Sequence, residues 1–593
     1  MPSNTRTCQK CQTRFPIEER DLAFYISVNV PEPTFCPTCR ARRRMAWINF
    51  HSLYNRKLTD GGKNVISMYS PDKQFNVVED SAWWGDTYDQ TSYGRNYDFS
   101  RPFFTQFQEL LRVAPLPHLH RDFSRMENSN YCNACTGLKN CYLCMAADEA
   151  EDTYYGFKIE KLKNCVDVSF TNNSELCGNS AFLSECYNVQ FSEHCENSND
   201  LSFCSDCNGC TSCVGCINLR NKSYCIFNVQ YDKDEYENRV KEMRLDTFSA
   251  VSKIASEAQQ FFRTQPHRFM HGRNNVDVTG DFIYNSKNVT DSYAVQFSEN
   301  CRFVNSLSAI DERNADAYDW SQFGIGSERI YECSWCGLRC NTVLFSFWNY
   351  YAHNLTYCFG CHSSDNLFGC IGLRKKRYCI LNKQYSKEDY EELVENIRKQ
   401  MADVPYTSTD GTIYRYGEFF PSELSPFCYN ETEAYDHLPL TKDSAVAKGF
   451  SWYDAPQRQP IAGAVSSKDI PDSIDALTAG CASSTFICSS YTDDGEDAIM
   501  RGCTRYYRCI PQEISWYRKK HIPLPRSCPQ CRYRERLKHQ PLFRSYDRAC
   551  MCHEQTGHDW HQGVICEKQC VTSYAPDRVE PIYCEKCYSA VVY

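Results

Sequence analysis

Cysteine supplies the chemistry that this sequence offers: 39 of its 593 residues are cysteines, and many stand in C-x2-C pairs. In a reducing compartment such pairs read as metal ligands or buried thiols rather than disulfides. Cys8, Cys11, Cys36 and Cys39 form a C-x2-C…C-x2-C set, the thiolate complement that closes a tetrahedral Zn2+ site. Its second pair reads CPTCR and runs into Arg40, Arg42, Arg43 and Arg44. At a constant offset of 492 residues the pattern returns, with Cys11 falling on Cys503, Cys36 on Cys528 and Cys39 on Cys531. Arg40, Arg42 and Arg44 fall on Arg532, Arg534 and Arg536, but Cys8 falls on Met500. A replacement for the fourth ligand of this second set could come from Cys509, Cys488 or Cys481. Further on, Cys550, Cys552, Cys566, Cys584 and Cys587 offer thiolates for another zinc site, with Cys570 nearby. His553, His558 and His561 read as loop histidines.

A second concentration lies mid-chain. Cys132, Cys135, Cys141 and Cys144 make a compact C-x2-C…C-x2-C set, and from Cys204 to Cys216 every third residue is cysteine. Two readings stand side by side. The thiols are either small buried hydrophobes packed in a core, or additional metal ligands with the Cys132–Cys144 set the best placed. The stretch Cys204–Tyr231 recurs as Cys358–Tyr385, so that Cys204, Cys207, Cys216 and Cys225 match Cys358, Cys361, Cys370 and Cys379. Cys144, Cys165, Cys186 and Cys207 follow one another at intervals of 21 residues. With short β-like runs such as VDVSF and YNVQF, this predicts a solenoid with coils of about 21 residues and three faces per coil.

The elements that must position these groups follow. The fold class expected is mainly β: a cysteine-rich parallel β-solenoid in two blocks with helical caps, flanked by zinc ribbons. The divisions are a ribbon over 1–60, an aromatic-rich connector with a helix over 61–127, a first block over 128–231 and a helical cap or connector over 232–275. A second block covers 276–385, a cap and linker 386–475, and tandem ribbons 476–593. The aromatics between Asn64 and Val113 read as packing rather than a base-stacking platform, and Phe104–Val113 as a helix at the start of the first block. Carboxylates at coil corners, Asp167, Glu175, Glu185, Glu193 and Glu299, read as solvated. A net charge of −9 argues against a generic polyanion binder. No apolar run spans a bilayer and the first residues contain no signal-peptide core, which predicts a cytoplasmic protein without a membrane partner. No P-loop, G-x-S-x-G or H-E-x-x-H occurs, and no catalytic residue is assigned.

The run CxxC…CPxCRxxR at both ends resembles the bacterial zinc-ribbon modules. The wider layout of ribbon, YGRNYDFSRPFF, cysteine repeats, YGEFFPSELSPFCYN and SYAPDR…YCEKCY resembles a large uncharacterised bacterial zinc-ribbon family, sometimes labelled coenzyme-A-transferase-like. The resemblance implies zinc and no established activity, and no Rossmann glycine fingerprint supports the transferase label. From the residues themselves the expected function is non-enzymatic zinc-dependent binding of structured nucleic acid: RNA, the ribosome or DNA. Its contacts would be Arg40, Arg42, Arg43, Arg44, Arg532, Arg534 and Arg536 on phosphates. The alternatives are a protein-interaction or self-assembling scaffold, and a redox or cluster-binding metalloprotein.

Overall fold

The computed structural model describes residues 4–59, 61–307, 312–456, 459–491, 502–540, 543–552 and 566–593. Its architecture is mainly β, with parallel ladders in two long stretches and helices after and around them. In the first stretch Asn133 pairs with Met145 and Met145 with Phe157, an offset of twelve residues each time. Isolated bridges keep that step, as in Tyr142 to Tyr154 to Val166 and Glu193 to Ser205 to Ile217. In the second stretch Asn341 pairs with His353, His353 with Asp365 and Asp365 with Arg377 at the same step. Earlier in that stretch the step widens, to sixteen between Ser298 and Asn314 and to thirteen between Ala315 and Glu328. The regular turn of chain is therefore twelve residues long, varied only early in the second stretch, and the expected coil of 21 residues does not form.

The smaller unit within each turn is a triplet. From Cys132 to Cys216 every third residue points into a narrow core, and this run includes Cys135, Leu138, Cys141, Cys144, Ala147, Cys165, Cys186 and Cys207. From Ala134 on, the residue before each inward position takes a left-handed φ, for example Asn140, Asn164, Asp167, Phe203 and Asp206. Four such corners fit in twelve residues. A left-handed φ costs a residue with a Cβ about 1–2 kcal/mol, and stacking of equivalent corners offsets it. Phe170 lies on Phe182 at 4.6 Å with 8° between planes, and Phe191 on Phe203 at 4.8 Å and 4°. Asn140 bonds to Asp152 one turn on.

The same geometry accounts for the cysteines. Inside the turn each small polar side chain adds a second donor to carbonyls that already accept a ladder N–H, and serine oxygens take up inward-facing N–H groups such as those of Cys186 and Cys204. The Cys186 thiol donates to the carbonyls of Ser184 and Cys195, and the Cys204 thiol to those of Ser202 and Cys213. Serine does the same work at equivalent places. Ser174 Oγ donates to Asn172 O at 2.7 Å and accepts the N–H of Cys186 at 3.1 Å, one turn on. A buried backbone group without a partner costs about 1–3 kcal/mol. Cysteine, serine and threonine thus fit an interior that needs both low volume and a hydrogen-bonding atom.

Both stretches end alike. Cys225 turns back onto Gln230 and Cys379 onto Gln384 in antiparallel pairs. Helices then cover the exposed ends: Lys233–Glu242 is capped by Asp232 and buries Tyr236, and Lys387–Asp403 is capped by Ser386 and buries Tyr390. A bare last turn would expose unpaired backbone groups. Phe248–Phe262 packs beside the first of these helices. The predicted connector helix spans Phe103–Val113. It lies against the second stretch, with the Phe103 ring 5.1 Å from Tyr357 and 5.3 Å from Phe368. It does not sit at the start of the first, because its apolar face finds this aromatic wall instead.

Candidate metal centres

Three groups of four cysteines have their sulfurs all within 4.8 Å of one another: Cys8, Cys11, Cys36 and Cys39; Cys488, Cys503, Cys528 and Cys531; and Cys550, Cys566, Cys584 and Cys587. A ZnS4 tetrahedron with bonds of about 2.3 Å has sulfur–sulfur edges of about 3.8 Å. The edges Cys11–Cys36, Cys503–Cys528 and Cys566–Cys584 measure 3.6, 3.9 and 3.9 Å. The donor sets therefore fit a metal ion that prefers four thiolates.

Each group is built by the same local device. Cys36, Cys528 and Cys584 are the N-cap residues of the helices Pro37–Met45, Pro529–Leu537 and Glu585–Val592. Cys39, Cys531 and Cys587 stand in the first turn of those helices. Proline at the first helical position suits the fixed φ there, and the free N–H groups and dipole of a helix start stabilise thiolates. The N–H of Cys528 reaches Cys488 Sγ at 3.2 Å, and that of Cys584 reaches Cys550 Sγ at 3.2 Å. Hydrogen bonds from the Cys36 and Cys39 thiols hold Cys8 far below the usual thiol range, and those from Cys488, Cys503 and Cys531 do the same for Cys528. Burial opposes the shift of Cys584, but the N–H of Cys587 and the neighbouring thiols bring it down.

Cys488 completes the second group, one of three residues that the sequence left open. Cys552 is buried beside the third group but is not one of its four. Cys570 belongs to the hairpin that carries the group, paired with Arg548. His553, His558, His561 and Met500 lie outside the described residues. Cys132, Cys135, Cys141 and Cys144 make no such group among the described residues. Only Cys132 and Cys144 share a corner of the turn, with the Cys144 N–H on Cys132 Sγ at 3.4 Å. Cys135 and Cys141 point inward from other sides and donate to the carbonyls of Asn133 and Ala150. The spacing that suggested a knuckle is the triplet step of the turn.

Most of the arginines beside the knuckles are buried. Arg40, Arg43 and Arg44 are 1%, 2% and 0% exposed. Arg40 Nη2 lies 2.8 Å from Asp319 and Arg44 Nη1 3.1 Å from the other oxygen of the same carboxylate. Arg43 spans Glu332 at 3.2 Å and Glu418 at 3.3 Å, with its guanidinium 4.1 Å from the Phe35 ring centroid. At the other end Arg532 and Arg536 meet Asp167 at 2.7 and 2.8 Å, and Arg532 also meets Glu513 at 2.9 Å. Arg534 pairs with Asp436 at 3.1 Å, and Arg42 donates to Tyr429 Oη at 3.2 Å. Six of these seven arginines thus meet carboxylates of neighbouring segments and Arg42 meets a tyrosine hydroxyl, with five of the seven in buried surroundings.

These carboxylates are the functional residues that the sequence reading missed. Asp167, expected to be solvated, is fully buried. The signal was a repeated Asp-x-Ser, Asp167-Val-Ser169 in the first stretch and Asp319-Trp-Ser321 in the second. Each accepts its knuckle's last arginine, Arg536 Nε on Ser169 Oγ at 3.0 Å and Arg44 Nε on Ser321 Oγ at 3.5 Å. The N-terminal ribbon consequently clamps the second stretch and the C-terminal ribbon clamps the first. The connector aromatics are packing, as read: Tyr69, Trp83, Phe103 and Phe104 are buried in one large core with Tyr357 and Phe420.

No protein-family model matches the chain, and no curated protein matches it. Among solved structures, a Desulfovibrio desulfuricans G20 protein described as a candidate acetyltransferase aligns over 46% of this chain and 84% of that one. The identity is 8% and the TM-score 0.09, and the likeness carries no argument. No helix among the described residues is long and apolar enough to cross a membrane.

Proposed function

We propose that this protein is a zinc-stabilised interaction scaffold: a cysteine-lined parallel β-solenoid in two blocks, locked together by ribbons that each clamp the block farther from them in sequence. The observation that carries this reading is the burial of Arg40, Arg43, Arg44, Arg532 and Arg536 in ion pairs with block carboxylates. Groups that would have gripped phosphate act within the molecule instead. Zinc is the metal proposed, because closed four-thiolate sites of this kind suit it and contribute directly to folding. The twelve-residue turns leave long regular outer faces of the kind that solenoids use to seat partners.

The test is composition and binding of the purified full chain. Three zinc ions per chain, no co-purified nucleic acid and no RNA binding at physiological salt support the scaffold. RNA binding with a steep salt dependence overturns it.

A further inference from the structure

The two blocks are preceded by related segments, Pro115-Leu-Pro-His-Leu-His120 and Pro266-His-Arg-Phe-Met-His271. Each crosses to the other block. His120 stacks on Trp348 of the second at 3.8 Å and 23°, and His271 stacks on His194 of the first at 5.0 Å and 25°. The backbone N–H of each donates to a side chain in its own block, His120 to Asn133 at 3.0 Å and His271 to Asp281 at 2.7 Å. The placements match, and the surroundings do not.

Around His120 stand Trp335, Phe347, Trp348 and Phe359. Its Nε2 has no hydrogen-bond partner, and burial keeps the ring neutral. His271 lies between carboxylates: its Nδ1 is 3.2 Å from Asp281 of the second block and its Nε2 3.8 Å from Asp206 of the first. The other oxygen of Asp281 accepts from Ser573, in the module that carries the third cysteine group. An aromatic seam satisfies the fold at one of the two equivalent places. The architecture therefore does not require the charged seam at the other.

We propose that His271 is a proton-operated latch that joins Asp206 of the first block to Asp281 of the second and, through Asp281, to the third cysteine module. Protonated, the ring presents an N–H to each carboxylate. Neutral, it keeps one hydrogen and leaves one carboxylate without its partner in a seam that is 7% exposed at His271 and 1% at Asp281. The charged and titratable groups facing this point are Asp206 and His194 from the first block, Asp281 from the second and Arg268 on the same segment. From the third module Tyr574 feels the charge of both carboxylates and Tyr588 that of Asp206, and Glu193 pairs with His539 nearby.

Burial disfavours the charged ring, but Asp281 and Asp206 outweigh it and raise His271 above its ordinary value. Asp281 is lowered despite burial, by His271 and Ser573. A raised histidine contributes fully below its unfolded value of about 6.5, and that contribution is lost as pH rises through the folded value. A lowered carboxylate contributes above its unfolded value and loses this as pH falls. The latch is therefore closed below the raised folded value of His271 and opens as pH rises through it.

Hydrogen exchange of the zinc-loaded full chain, corrected for intrinsic rates, tests this between pH 6 and 9. Amides of residues 267–284 and of the hairpin strand Gln569–Thr572 should lose protection at least tenfold in the wild type. They should hold it in His271→Lys, which keeps a positive charge, and residues 116–120 should not change. Wild-type protection that does not vary with pH, or an equal loss in His271→Lys, overturns the latch. If that variant does not fold, NMR of ring-labelled histidine in the wild type decides, with the His271 signal assigned through Asp206→Asn. A midpoint above 6.5 supports the latch, and one at or below 6.5 overturns it.

Discussion

In the N-terminal clamp Asp319 receives Arg40 and Arg44, while Glu332 stands 3.6 and 3.8 Å from the same two arginines and shares Arg43 with Glu418. In the C-terminal clamp Asp167 receives Arg532 and Arg536, and among the described residues Glu513 is the one further carboxylate in an ion pair with either arginine. The hairpins that follow the knuckles diverge further. Tyr54–Lys57 pairs with Asn64–Ser67, and Tyr546–Ala549 with Gln569–Thr572, in the same antiparallel way. Each is followed by a short strand that joins the segment leading into a block: Val77–Val78 on Leu116–Pro117, and Ile582–Tyr583 on His267–Arg268. The N-terminal copy is held by Met68, Tyr69, Val77, Val78 and Trp83 within the large core. The C-terminal copy is held by a small cluster of cysteines with Tyr583 and Tyr588. One scaffold thus accepts apolar burial or a thiolate tetrad at the same place, and the tetrad serves where the surrounding core is too small to suffice.

Metal removal should separate the two copies most sharply. Structural zinc at four thiolates contributes about 10–16 kcal/mol of apparent binding free energy. A strong chelator should therefore unfold the module over residues 543–593 and leave the hairpin Tyr54–Lys57/Asn64–Ser67 protected in limited proteolysis. Equal cleavage of both hairpins would break the comparison. Acid should act in the same direction, because the sulfurs must take up protons to release the metal: zinc content, measured after equilibration at falling pH, should drop from about three per chain.

The clamps come next. Asp167→Ala leaves two buried guanidiniums with one carboxylate between them and should cost about 3–5 kcal/mol. Asp319→Ala is backed by Glu332 and should cost about 1–3 kcal/mol. Denaturant midpoints of the two variants measure the difference, and equal losses would mean that Glu332 does not compensate. The smallest effect belongs to the interior of the turns. Ser364 holds in the second block the place of Cys210 in the first, and it donates to the carbonyl of His362 as the Cys210 thiol does to that of Asn208. Cys210→Ser should thus change stability by less than about 1 kcal/mol. A loss of several kcal/mol would show that the thiol does more than fill and bond.

Whereas the helices that start at each knuckle were not read, the first cysteine set and its partial copy were legible because ligand spacing and the offset of 492 residues can be read along the chain. The helices after each block were legible for the same reason, as Asp232 and Ser386 stand where N-caps are wanted. The turn length was not. Cysteines 21 residues apart all sit on the triplet lattice, and 21 is seven triplets while a turn holds four. The period of one residue type therefore differs from the period of the backbone that spaces it.

By itself the sequence determined the duplication of both ribbon and block, the first set of four cysteines and the helices that cap the blocks. Only the tertiary structure decided that Cys488 joins Cys503, that Cys132–Cys144 is a wall rather than a site, and that the knuckle arginines face inward. Those outcomes depend on which carboxylate or sulfur arrives from hundreds of residues away. No spacing along the chain encodes a distance across it until the twelve-residue turns have stacked and brought Asp167 and Asp319 to the arginines.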